Sequence, residues 1–156
     1  MNANFFSFLD TGNPTIMTTG QRQLRFPSIL ENIHLAEKLV EDVCSEYKVK
    51  EDHFGEVLIS LTEGVNNAIV HGNRMDQALQ VKLDFECEDN KTLRFIISDE
   101  GPGFDYENLP DPTAPENIEL PHGRGVFLMQ KLADRCTFNH GGTEVVLEFD
   151  VANTEE

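Results

Sequence analysis

Basic residues are scarce in this chain. Its 156 residues hold 12 Lys and Arg against 28 Asp and Glu, for a formal net charge of −16. A surface so acidic repels nucleic-acid phosphates and anionic lipid, so both are discounted as partners, whereas a basic protein surface would suit it. Cysteine is scarce too: Cys44, Cys87 and Cys136 are odd in number, far apart, and include no C-x-x-C pair. That argues for buried free thiols in a reducing compartment, against a disulfide frame or a zinc site. The N-terminal MNANFFSFLDTGNPTIM has a short apolar patch but neither a basic leader nor a long hydrophobic run. Neither a signal peptide nor a membrane span is expected, and the reading is a cytoplasmic protein.

What is present suits one domain. A chain of this length buries ~70% of the surface its unfolded form exposes, enough for a single core. Hydrophobic content of 39% and charged content of 26% are ordinary for a globular protein. Residues 1–20 carry no sustained period and read as a flexible N-terminal arm, which Phe5, Phe6 and Phe8 can anchor to the body or to a second subunit. Residues 21–150 form the domain and 151–156 a polar tail.

Within the domain, Gln21 to Phe26 reads as a short edge strand ended by Pro27. Ser28 and Glu31 have capping-box spacing for a helix that runs to about Tyr47, with Ile33, Ala36, Val40, Val43 and Tyr47 on its apolar face. A second helix starts near Asp52 and carries LISLTEGVNNAIVHGN, Leu58 to Asn73. Its apolar positions, Val57, Leu58, Leu61, Val65, Ala68 and Ile69, share one face. Glu63, Asn67 and His71 stack into a polar stripe along it, and Gly72 is placed to close it as a left-handed C-cap. Leu79 to Cys87 and Thr92 to Ser98 alternate as a hairpin about Asp89-Asn90-Lys91. After Asp99 comes a long proline-bearing stretch to His122, which reads as a binding loop or lid. Helical spacing returns over Val126 to Ala133, and Gly141-Gly142 turns into a last strand, Thr143 to Asp150.

Three glycine-bearing segments surround the long loop: DEGPGFD from Asp99, HGRGVFLM from His122 and HGGTEVV from His140. Glycine lets a flat base or a phosphate approach the backbone, and Gly123-Arg124-Gly125 opening a helix offers free N–H groups to an anion. Asp99, at the mouth of a strand, can accept a hydrogen bond from an exocyclic amine such as adenine's. No G-x-x-x-x-G-K-[ST] loop and no G-x-G-x-x-G after a strand occurs, so the ordinary mononucleotide and dinucleotide folds are not expected.

An E-x-x-x-N-A helix, then D-x-G-x-G, then G-x-G opening a helix, then G-T before a strand, resembles the motif set of the GHKL, or Bergerat-fold, ATPases. The wording TEGVNNAIVHGN, SDEGPGFD and GRGVFLMQKLAD is most similar to the anti-sigma-factor serine kinases of that group. The resemblance covers roughly residues 24–150. It implies an α/β two-layer sandwich: a mixed, mostly antiparallel sheet covered on one face by helices, with ATP between the helices and a lid.

It also implies roles. Glu63 would be the general base for a serine hydroxyl, and Asn67 a ligand of the Mg²⁺ that bridges the phosphates. Asp99 would read the adenine amino group, with Gly101 and Gly103 letting the base approach. Phe104 to His122 would be the lid. Gly123, Arg124, Gly125 and Val126, at the helix opening, would hold the phosphates, and Thr143 would close the base pocket. Arg124 is the local candidate to neutralise the γ-phosphate beside a lid rich in carboxylates. His71 reads as a satisfied polar residue at a helix end. The substrate implied is an anti-anti-sigma (STAS-type) protein and the second partner a sigma factor; a homodimer is left open. The alternative is a non-catalytic, nucleotide-gated binding module of the same fold.

Overall fold

The structure, a computed structural model, describes residues 15–16, 20–109, 114 and 123–151. Six strands are present among them: β1 (Thr15–Ile16), β2 (Gln21–Pro27), β3 (Gln80–Glu86), β4 (Thr92–Ser98), β5 (Arg135–Asn139) and β6 (Glu144–Asp150). Three helices accompany them: α1 (Ile33–Glu46), α2 (Glu51–Asn67) and α3 (Gly123–Leu132). The sheet runs β1-β2-β3-β4-β6-β5, and each of its described pairings is antiparallel. β4 is followed by the loop, α3 and β5, and the chain then turns back as β6 into the gap between β4 and β5.

One face of the sheet is dry. Leu24 and Phe26 of β2, Val81, Leu83 and Phe85 of β3, Leu93, Phe95 and Ile97 of β4, and Val145, Leu147 and Phe149 of β6 are all buried. The period-2 pattern read from the sequence puts these residues on one side. Ala36, Leu39, Val40 and Val43 of α1, Val57, Leu61 and Val65 of α2, and Val126 and Met129 of α3 cover them. α2 is the central helix, in contact with both α1 and α3. It approaches the sheet closely at Gly64, where a Cβ would run into the Ile97 side chain and sit 3.3 Å from Met129 Sδ. The other face carries cross-strand ion pairs: Arg94 with Glu86 and Glu148, each at 2.9 Å, and Arg135 with Glu148 and Asp150. Solvent-facing pairs of this kind contribute ~1 kcal/mol or less each, so the dry face dominates stability.

Several expectations need correction. Ser28 does not cap α1: it is fully buried, and its Oγ donates to the Leu79 carbonyl at 2.7 Å. A short 3₁₀ turn, Leu30–Asn32, leads into α1, and Glu31 is exposed. Gly72 is not a left-handed cap; Arg74 and Met75 take positive φ instead, at 53° and 57°. α2 does not stop there but widens into a π turn over Ala68–Gly72, where the Asn73 N–H reaches the Ala68 carbonyl. Part of the arm is a strand, since Thr15 and Ile16 pair with Gln23 and Arg22; the rest of it lies outside the described residues. β5 was not foreseen, because DRCTFN has only Cys136 and Phe138 to alternate and lies at an edge. The tail begins with a buried residue: Val151 is 4% exposed and its N–H donates to the Lys91 carbonyl at 2.7 Å.

The thiols are free. Cys44 and Cys87 are buried and Cys136 half-buried, and burial pushes Cys44 and Cys136 up to about 11. Among the described residues no helix is long and apolar enough to cross a membrane.

Phe95 is fully buried, with ring centroids 5.0 Å from Phe85 and 6.2 Å from Phe149. Phe95→Ala is expected to remove about 3–5 kcal/mol of stability. For a domain of this size that lowers the melting temperature by roughly 10 °C. Urea unfolding should show a lower midpoint at an unchanged m-value.

Candidate functional site

The C-terminal half of α2, the π turn, the ends of β4 and β6, and α3 converge on one cleft. Gly64, Asn67, Ala68, His71 and Gly72 line one side. Ile97 of β4 and Asp99 just after it, Gly142, Thr143 and Val145 before and within β6, and Met129 of α3 line the others, together with Gly103, Phe104 and Phe138. The sequence-predicted residues Asn67, Asp99, Gly103 and Thr143 therefore meet in one place. His71, read from sequence as a plain helix-end residue, is there too, and burial lowers its pKa.

Asp99 is set in the cleft by five constraints. Its backbone N–H donates to the Thr143 carbonyl at 2.9 Å, which ties the end of β4 to the start of β6. Its Oδ1 accepts the Gly101 N–H at 2.8 Å. Its carboxyl group lies against the Cα of Gly72, where a Cβ would overlap it. Gly101 in turn packs on the Gly72 carbonyl, again with no room for a Cβ. The next peptide, Glu100 N–H, donates to Oδ1 of Asn73 at 2.8 Å. Burial raises the Asp99 pKa, partly offset by the Gly101 N–H.

The far wall is a second glycine clamp. Gly103 (φ +82°) leaves no room for a Cβ against the Gly141 carbonyl, and Gly142 (φ +98°) would place one 2.8 Å from the Phe104 carbonyl. The Phe104 N–H donates to the Gly141 carbonyl at 3.0 Å. Three rings seal this side: Tyr106 stacks on Phe138 at 5.0 Å, and Phe104 meets Phe138 edge-on at 5.5 Å. Phe138 is on the unforeseen strand β5, so the missed strand hid a cleft residue. Thr143 donates its hydroxyl to the His140 carbonyl at 3.0 Å, which fixes its rotamer.

At the opposite end of the cleft α3 crosses α2. A Cβ on Gly125 would be 2.9 Å from Asn67 Nδ2 and 3.1 Å from Glu63 Oε2, so glycine is what lets α3 begin beside both polar groups. Gly123 is buried and Arg124 exposed in that first turn. Val126 turns its side chain into the core at 1% exposure, leaving only its backbone toward this end. Glu63 and Asn67 are one turn apart on α2 and both half-buried. Of the lid expected over Phe104 to His122, residues up to Leu109 and Ala114 are described, with Asp105 and Glu107 exposed; Pro121, His122 and the other lid carboxylates lie outside the described residues.

Asp99 makes a testable contribution to stability. A carboxyl group whose pKa rises on folding makes the folded state the better proton binder, so stability falls as pH climbs through the carboxylate range. Asp99→Asn keeps the acceptor for the Gly101 N–H and removes that cost. It is expected to raise the melting temperature of the ligand-free protein by a few degrees at pH 7. The gain should shrink as pH is lowered toward 3.8, the carboxyl group's ordinary value. An equal gain at both pH values would assign it to something other than ionisation.

Comparison with known proteins gives the same picture. The family model described as histidine kinase-like ATPase domain matches residues 26–149. Serine-protein kinase RsbW of Staphylococcus epidermidis is 30% identical over 122 residues, covering 74% of this chain and 76% of that one. Serine-protein kinase RsbW of Staphylococcus aureus strain JH9 is 29% identical over the same length and coverage. The crystal structure of the RsbU and RsbW domains of a Mycobacterium tuberculosis protein superposes with a TM-score of 0.59 at 12% identity. It covers 84% of this chain and 32% of the longer one, a likeness of fold. With two glycine clamps around a half-buried carboxylate and a helix start beside a Glu–Asn pair, the chain belongs to the histidine kinase-like ATPase domain family, among its anti-sigma-factor serine kinases.

Proposed function

We propose that this protein transfers the γ-phosphoryl group of ATP to a serine of an anti-anti-sigma (STAS-type) protein, and that it holds a sigma factor as its second, alternative partner. One observation carries the reading: Asn67 at one end of the cleft, with Glu63 one turn before it, and Asp99 at the other lie against glycines where a Cβ would crowd or overlap them. The relatives' name, serine-protein kinase, supports the reaction type.

Asp99 accepts a hydrogen bond from the adenine amino group, and Thr143 closes the pocket beside it. Gly101 and Gly103 leave the backbone bare for the base. The N–H groups at the start of α3, from Gly123 to Val126, and the Arg124 guanidinium face the phosphates. Bound ATP supplies the phosphoryl group, and Mg²⁺ supplies charge neutralisation across the phosphates. The Asn67 carboxamide oxygen fits such an ion, which prefers neutral and anionic oxygen and takes most of its ligands from phosphate and water. Among the described residues no three His, Cys, Asp or Glu side chains gather into a protein-only metal site. Glu63 takes the proton as the serine oxygen forms its bond to phosphorus and the bond to the β–γ bridging oxygen breaks. A cytoplasmic location follows from such partners. Nucleotide state would bias which partner is held, through the lid.

Glu63→Gln is expected to leave ATP affinity within about twofold while lowering transfer by roughly 10²–10⁴-fold, the usual share of a general base. Transfer that survives this change would remove Glu63 as the base. Asp99→Asn is expected to weaken ATP by about tenfold or more by calorimetry, equivalent to losing one charge-assisted hydrogen bond. Wild-type protein that binds ATP tightly yet labels no protein with Mg²⁺ present would favour the binding module without catalysis.

A further inference from the structure

Ser28, Ser60 and Asn73 are the buried polar residues of the described core, and two of them are bonded to each other. Asn73 is 2% exposed and Ser28 fully buried, 45 positions apart in the chain, with Asn73 Nδ2 donating to Ser28 Oγ at 2.8 Å. The reaction as drawn uses neither. Ser28 is anchored in turn: its Oγ donates to the Leu79 carbonyl at 2.7 Å and its N–H to the same carbonyl at 3.1 Å. Asn73 Nδ2 also donates to the Gln80 carbonyl at 3.0 Å. Its Oδ1 is left to face one group, the Glu100 N–H at 2.8 Å. A buried carboxamide with its donors and its acceptor all matched is rigid, because any rotation leaves polar atoms unpaired in a dry site.

Rigidity is passed on to Asp99. Glu100 N–H belongs to the peptide that follows Asp99, and the next N–H, of Gly101, is held by Asp99 Oδ1 itself. The residue before Asn73, Gly72, is the surface on which the Asp99 carboxyl group rests. The π turn brings Asn73 in: its N–H closes on the Ala68 carbonyl at 2.8 Å, five residues back. Backbone and side chain of one residue thus set both the wall behind Asp99 and the peptide in front of it.

We propose that Asn73 is a positioning residue for base recognition: anchored by Ser28 and the β3 entry, it aims the Asp99 carboxylate at the 6-amino group of the purine. The proposal rests on the reading of Asp99 as the adenine acceptor. It assigns selectivity for 6-amino over 6-unsubstituted purines to a residue that touches no ligand. Polar sites that read a hydrogen-bonding group discriminate sharply only while their own groups are held in place.

The test measures dissociation constants for ATP and for purine riboside triphosphate, which lacks the 6-amino group, and takes their ratio. Wild type is expected to prefer ATP by about tenfold or more, the worth of one such hydrogen bond. In Asn73→Ala the Glu100 N–H loses its acceptor, so ATP should weaken while the analogue changes little and the ratio falls toward one. Asn73→Asp keeps an oxygen for that N–H and loses the donors. It should unfold more easily yet retain most of the wild-type ratio. A purely structural role would weaken both nucleotides by the same factor in Asn73→Ala, and that result overturns the proposal. If Asn73→Ala does not fold, Ser28→Ala is measured in its place. A ratio between wild type and one supports the relay, and an unchanged ratio overturns it. A wild-type ratio of one would remove the reading of Asp99 and this inference with it. A wild-type preference that Asn73→Ala keeps would remove this inference alone.

Discussion

The structure turns on how closely the end of the central helix comes to the end of β4. Gly72 touches both the Asp99 carboxyl group and the Cα of Gly101, so two segments from different parts of the chain meet with no side chain between them. That contact fixes the depth of the cleft. Everything above it is arranged by elements already committed: α2 holds Glu63 and Asn67, α3 is admitted by Gly125, and Thr143, just before β6, supplies the carbonyl that anchors Asp99. A methyl group at position 72 or 101 would push helix and sheet apart where the dry core is continuous, and close-packed interiors transmit such a shift.

The division of labour between the two faces of the sheet explains the composition. The apolar alternation of β3, β4 and β6 is spent on the helical side. The acidic surplus meets its few arginines on the other, where Arg94 and Arg135 each bridge two carboxylates. Arg124, exposed in the first turn of α3, stands apart from those pairs.

Much of this could be read in the sequence. Strands with clean alternation, Leu79–Cys87 and Thr92–Ser98, were foreseen within a residue or two, because burial of one face leaves a period that composition cannot disguise. The Glu63–Asn67 stripe and the glycines at 101, 103 and 125 were legible as spacing; Asn67 and Gly103 line the cleft, while Gly101 packs on the Gly72 carbonyl and Gly125 beside Glu63 and Asn67. What failed had physical reasons. Ser28 and Glu31 matched a capping pattern, but Ser28 is drawn inside by Leu79 and Asn73, contacts from 45 or more residues away that a local pattern cannot contain. Gly72 looked like a cap because glycine after a helix usually is one. Here the need was for bare Cα against Asp99. β5 is too short to show its period, and with it went Phe138 and the aromatic seal.

The π turn at Ala68–Gly72 has one more consequence. An α-helix repeats every 3.6 residues, so a helix that ran unbroken from Glu63 to Asn73 would lock the angular positions of all its side chains to one phase. The wider turn introduces a phase break after Asn67. Upstream, Glu63 and Asn67 keep the register dictated by the packing of α2 between α1 and α3. Downstream, His71, Gly72 and Asn73 take the register dictated by β4. The helix is in effect two rulers joined with an offset. Substitutions that reshape the Asp99 end of the cleft can accumulate on one ruler without moving the marks on the other.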